Sequence, residues 1–356
     1  MAAGLWASWA GAQTPVHPAR TLALPGLRRA VQASAHLDTE TASIHGGLRP
    51  GSASDTVAQA GVTLDSAPLG LWKGGRLHGS VVHIESSRPS RDYVGDLQVA
   101  SNLEAPAADR VYQLWYRQRL SRCWQARAGL IDLNQSLAVT PQAGLFLNAS
   151  FGITPSIAAN VPTSLYPKPG LGLVARRRGP AGAGLRLGLF QGQPGHRQTP
   201  FGHGVMAIAE QAQGRWKLGG WVYRGHGRDR PRHDWGAYAI VHDAWRDGGP
   251  GRIEGFLQLG ASPARVNVVP YYLGAGLVWR GPLAGRPRDR FGLGVARAWV
   301  RDRPAPAETA WEVTYAVRVG HHVYLQPDLQ YVAHPAGRTP ASDATVAFLR
   351  LHLEFD

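Results

Sequence analysis

The side chains that could do chemistry fall at every second position of short segments spread along the whole chain. Arg186 alternates with Leu185, Leu187 and Leu189. Glu312 and Arg318 oppose Trp311, Val313, Tyr315 and Val317, and Gln326, Asp328 and Gln330 oppose Val323, Leu325, Leu329 and Tyr331. Gln113, Arg117 and Arg119 share one parity while Tyr112, Leu114 and Tyr116 share the other. Gln125 and Arg127 oppose Trp124, Ala126, Ala128 and Leu130. Guanidinium, amide and carboxylate groups gathered on one strand face can exchange hydrogen bonds with a polar solute or with water. Bond-breaking constellations are missing: there is no Gly-x-Ser-x-Gly, no His-Glu-x-x-His and no phosphate loop. His321 and His322 are adjacent, so they point to opposite faces of a strand and make a poor metal pair. Asp-rich calcium loops are absent. Cys123 is the single cysteine, which excludes an internal disulfide framework and a cysteine zinc cage. The expectation is a protein that is not an enzyme and uses no cofactor or metal.

The elements that must position these groups are strands. Ala344–Phe355 sets the pattern: Ala347, Leu349, Leu351, Leu353 and Phe355 on one face, with Arg350, His352 and Glu354 on the other. Alternation of this kind fits a half-buried soluble strand or a transmembrane strand with one face to lipid and one to a wet lumen. Its recurrence favours the second. Arg or Lys facing lipid at mid-membrane costs roughly 2–4 kcal/mol, so a barrel requires this segregation. Phe291–Val300 breaks the rule, because Arg297 shares a face with Leu293, Val295 and Trp299. That segment is either out of register or holds Arg297 near an interface. Tyr112, Trp124, Trp216, Trp279, Trp299, Trp311 and Tyr331 stand at segment ends, as an aromatic girdle would.

Composition agrees. The 356 residues include 44 Gly, 26 Pro and 12 Trp, and only 17% are charged, against about a quarter in soluble domains. No run of about 18 apolar residues offers a membrane helix. The reading is all-β: a transmembrane antiparallel up-and-down β-barrel of about 16 strands, which at about 10 residues per strand and similar connections fits the length as one domain. The net charge of +14 is scattered rather than clustered, which argues against nucleic acid as a partner. Residues 1–12 resemble the end of a signal peptide, with Ala10-Gly11-Ala12 as a small-x-small site but no basic residue before Arg20, so the true start is expected upstream. Residues 13–29 form an extension and 30–356 the barrel.

Longer words in the chain resemble the OprB family of carbohydrate-selective porins. They are VGDLQVASNLEAP, VYQLWYRQRL, ARAGLIDLNQ and GLFLNASFGITPSIAANVPTSLYPKPGLG, then YYLGAGLVWRGPLAGRPRDRFGLGVA and EVTYAVRVGHHVYLQPDLQYVAHPAG before the closing strand. The resemblance covers Gly46 to Asp356 and implies a 16-stranded barrel in the bacterial outer membrane that passes small sugars by diffusion. The chain departs from the pattern by its shorter length, by Gln113 where the family more often has Glu, and by Asp356 after the terminal Phe355. Weak, reversible hydrogen bonding to a neutral polyol is the chemistry such a pore needs. The candidate lumen residues are Gln113, Arg117, Arg127, Asp132, Asn134, Arg186, Glu210, Trp221, Glu312, Arg318 and Asp328. The stretch Asn134–Gly170 is long enough to fold inward and bring Asn148 and Asn160 to a constriction. Expected partners are small sugars, outer-membrane lipid and lipopolysaccharide, the barrel-assembly machinery through the last strand, and a homo-oligomer. An anion-preferring general porin and a secreted all-β sugar-binding protein are the alternatives.

Overall fold

A computed structural model describes residues 30–195, 199, 201–225, 233–246, 251–338 and 341–355. The signal expected over residues 1–12 and the extension expected over 13–29 lie outside the described residues. Sixteen antiparallel strands close one barrel, each paired with its sequence neighbours. They are β1 Val31–Gly47, β2 Gly51–Asp65, β3 Gly75–Ser86, β4 Ala108–Arg119, β5 Trp124–Ile131, β6 Gly170–Arg178, β7 Gly184–Gln191 and β8 Gly204–Gln213. The other half comprises β9 Trp216–Gly225, β10 His233–Arg246, β11 Arg252–Ala261, β12 Tyr271–Arg280, β13 Arg290–Trp299, β14 Ala307–Arg318, β15 Val323–Ala333 and β16 Ser342–Phe355. β16 closes on β1 in register from Ala35 opposite Phe355 to Gly46 opposite Ala344. Strand number and closure agree with the sequence expectation.

Period-two alternation sets the two faces. On β16, Leu349 and Phe355 are 48% and 54% exposed on the outside, while Arg350 and His352 are 7% and 6% exposed within. Along the seam Arg350 pairs with Glu40 at 2.6 Å and His352 with Asp38 at 2.7 Å. The start of β1 and the end of β16 share one rim with most of the short turns. The two-residue turn Gly214–Arg215 between β8 and β9 needs glycine, because Gly214 has φ +56°. The two longest connections, 87–107 and 132–169, leave the opposite rim. Trp216, Trp279, Trp311 and Tyr331 stand exposed on the outer face, as a girdle requires.

Two strands refine the parity reading. A β-bulge shifts the β3–β4 register between Ser80 and Val81, so Ser80 faces Gln113 and Val81 faces Val111. The extra residue, Tyr112, turns inward with Gln113 and is fully buried. Tyr112 therefore does not belong to the girdle. On β13 the register is regular, and Arg297 does point outward. It lies two residues from the strand end, 5.2 Å from the Trp299 ring centroid, with Nη1 donating to Thr309 Oγ1 at 3.3 Å. An arginine at that depth can reach the polar boundary by snorkelling.

The lumen is not empty. Residues 87–107 and 132–169 turn into it and bring their own apolar side chains. Phe146 and Phe151 pack with Phe256 of β11. Ile153 and Ile157 join Trp221, Tyr238 and Ile240. Val94, Ala100 and Leu147 join Ile44, Val346 and Phe348. Each such large side chain contributes about 1.5–3 kcal/mol when removed from water. Apolar inward residues, which would be misplaced in an open water-filled tube, thus form a core beneath the loops.

Candidate functional site

Most buried polar groups on the inner wall hold the loops. Glu312 accepts from the amides of Leu147 at 2.5 Å and Asn148 at 3.1 Å. Glu308 accepts from Leu97 at 2.7 Å and Gln98 at 2.8 Å, and from Ala336. Glu210 accepts from the Ala138 amide at 2.9 Å and the Tyr238 hydroxyl at 3.0 Å, and pairs with Arg186. Gln326 donates to the Leu145 carbonyl, Gln258 to that of Phe151 and Gln330 to that of Ala100. Loop amides that have left the sheet ladder must find acceptors when buried, and a carboxylate can take two at once.

Several residues expected to line the lumen sit in this scaffold. Asp132 caps the first turn of the long loop, accepting from the Asn134 amide at 2.9 Å and the Tyr112 hydroxyl at 2.6 Å. Burial lifts its carboxyl to about 6, against the pull of those two donors. Asn134 donates to the Gly152 carbonyl at 3.0 Å. Asp328 is buried beside Gln330, whose Nε2 donates to it at 3.1 Å. Trp221 is 2% exposed under the loop core. Arg318 lies at the short-turn rim, where it donates to the carbonyls of Gly320 at 2.9 Å and His321 at 2.6 Å. Asn148 and Asn160 are both buried: Asn148 donates to Gln330 Oε1, and Asn160 holds the Val269 amide and carbonyl.

A second group stays half-exposed inside the barrel. Trp115 of β4 has the His78 ring stacked on it, centroids 4.9 Å apart at 22°. The Arg127 guanidinium carbon lies 5.1 Å from the Trp115 ring centroid. Gln113 Oε1 accepts from the indole Nε1 at 3.2 Å, and Thr63 Oγ1 bonds His78 Nδ1 at 2.9 Å. Arg127 also donates to Ser136 Oγ on the long loop at 2.5 Å, so the loop touches this group. Register places Arg76, Arg117 and Arg127 side by side across β3, β4 and β5, and Arg176 opposite Arg186. The structure thus gathers Gln113, Arg117, Arg127 and Arg186 along one wall, and leaves Glu312, Asp328 and Arg318 elsewhere. Trp115 and His78 were not singled out from sequence, yet Trp115 has the parity of Gln113 and Arg117. An aromatic face beside fixed donors can hold a solute with both apolar and hydroxylated surfaces.

A closed antiparallel barrel with an apolar outer band, loops folded into its lumen and a polar inner wall defines an outer-membrane porin. A family described as "Carbohydrate-selective porin, OprB family" matches residues 49–230 and 213–355. The chain belongs to that family. The curated Porin B of Pseudomonas aeruginosa is 28% identical over 149 residues, a stretch that spans 35% of this chain and 33% of that relative. The high-pH structure of Pseudomonas putida OprB superimposes with a TM-score of 0.82 at 17% identity, covering 92% of this chain and 94% of the other. An anion-selective porin from Comamonas acidovorans gives 0.56 at 11% identity, covering 91% and 99%. At these identities the structures bear on the fold alone.

Proposed function

We propose that the chain is a diffusion channel for small sugars, selective through the wall that holds Trp115. Family membership supports the substrate class. The observation that carries the site is the half-exposed Trp115 indole, held by Gln113 and flanked by His78 and Arg127. A sugar leaving water loses hydrogen bonds to its hydroxyls and gains contacts for its ring face. Arg127 and Arg117 present forked donors, and the indole supplies an apolar face. The interactions are few and partly hydrated, so a bound sugar is released as readily as it is held. Gln113 is a positioning residue, because its amide oxygen accepts from the indole N–H. The loops narrow the path and carry Ser136 to Arg127.

The protein reconstituted in planar bilayers tests this. Glucose or a related sugar should reduce single-channel current in a saturable way. Ohmic current with no block by any neutral sugar would overturn the reading. The row Arg76, Arg117 and Arg127, in which Asp65 pairs with Arg76 alone, favours a second reading, a general anion-preferring porin. A reversal potential set by anions, with sugars ignored, would select it.

A further inference from the structure

Beside Arg117, the short-turn rim carries cations that the indole site does not use, Arg119, Arg122 and Arg178. The connections 66–74 and 120–123 and the end of β6 surround a cavity of about 330 Å³. Arg76, Arg117, Arg119, Arg122 and Arg178 line it, and Asp65 is its one carboxylate. Asp65 is already engaged, since Arg76 grips its two oxygens at 2.7 Å each. Among the described residues, Arg117, Arg119, Arg122 and Arg178 make no ion pair. Backbone bonds hold the three segments together: the Arg119 amide donates to Gly74 and the Arg178 amide to Cys123, both at 2.9 Å. The backbones that carry these guanidinium groups are therefore held around one space. Like charges set directly opposite in a sheet are destabilising, and here Arg76, Arg117 and Arg127 stand abreast. An oxyanion in the cavity would relieve that repulsion through paired, charge-assisted hydrogen bonds.

We propose that this rim is an oxyanion subsite, so that the channel takes sugars bearing a carboxylate or a phosphate group as well as neutral ones. The proposal rests on the sugar-channel reading, because the arginine row leads from the Trp115 site to the cavity. The cavity is of a size that takes a small molecule.

Single channels in planar bilayers at low salt provide the test, with glucose, gluconate, glucose 6-phosphate and inorganic phosphate added to the short-turn side. Gluconate and glucose 6-phosphate should half-block the current at concentrations about tenfold below glucose, equivalent to one step of about 1.4 kcal/mol. The double variant Arg119→Ala/Arg178→Ala should lose that advantage while its glucose block stays unchanged and its barrel still migrates as folded before heating. Equal half-block by gluconate and glucose, or an unchanged advantage in the double variant, would overturn the subsite. Inorganic phosphate blocking as strongly as glucose 6-phosphate would reduce it to a trap for free anions and also overturn it. Loss of glucose block in the native protein, with the acidic sugars still blocking, would instead sink the neutral-sugar reading.

Discussion

At the scale of single residues, Trp115 and Glu104 make opposite use of burial. Trp115 is left half-exposed, and replacing it with Ala should weaken neutral-sugar block about two- to tenfold, the equivalent of about 0.5–1.5 kcal/mol for an aromatic contact. Unchanged half-block concentrations in Trp115→Ala would show that sugars pass elsewhere. Glu104 is buried in the loop 87–107, where it accepts from the Ser90 amide at 2.7 Å and the Arg91 amide at 3.2 Å. Burial lifts its carboxyl from 4.5 to about 8, and the two amides only partly counter this. The folded state then holds a proton that the unfolded state gives up, so stability falls as pH rises from about 4.5 to about 8. The unfolding midpoint should drop between pH 5 and pH 8 more in the native protein than in Glu104→Gln, and equal drops would show that this carboxyl does not titrate. The inward position of Trp115 was legible from its parity with Gln113 and Arg117 but its partners were not, and nothing in the sequence around Glu104 marks it as buried.

At the scale of elements, the loops depend on the wall. Glu312 carries two loop amides, and Leu147 and Asn148 lose this acceptor once it is truncated. Leaving a buried donor unsatisfied costs about 1–3 kcal/mol. Glu312→Ala should loosen the inward loop and raise single-channel conductance and current noise, and a variant with native conductance would show that the loop is held without it. The inward turn of the stretch after β5 was legible from its length. The inward turn of 87–107 was not, because its apolar residues are too few to mark a core. The first half of strand β2 is hard to read from sequence, because Ser52, Ser54 and Thr56 on its outer face break the apolar alternation. The bulge at Tyr112 was hidden for a related reason. Both sides of it alternate correctly, and only cross-strand register reveals the extra residue.

At the scale of the whole molecule, charge is divided by wall. Arginines crowd β3 to β7, while Asp38, Glu40 and Asp55 lie inward on β1 and β2 beside Arg350 and His352. The net charge was plain in the composition, but its division needed the closed order of strands. Arg350→Leu strips the buried partner from Glu40, a change that costs roughly 3–5 kcal/mol when one member of a buried pair is lost. The barrel should then lose its heat-resistant migration at a lower temperature, and an unshifted transition would mean that the seam does not depend on the pair. The seam also fixes a schedule. Its partners Glu40 and Arg350 are separated by nearly the whole chain, so no part of that junction can form until the last strand, from Ser342, is in place. Until then every intermediate holds two open strand edges, each a template for a wrong partner. Closure over so long a span is slow by chain entropy alone. A chain cut short by one strand would retain almost all of its local pairings and still be an aggregation hazard rather than a slightly smaller pore.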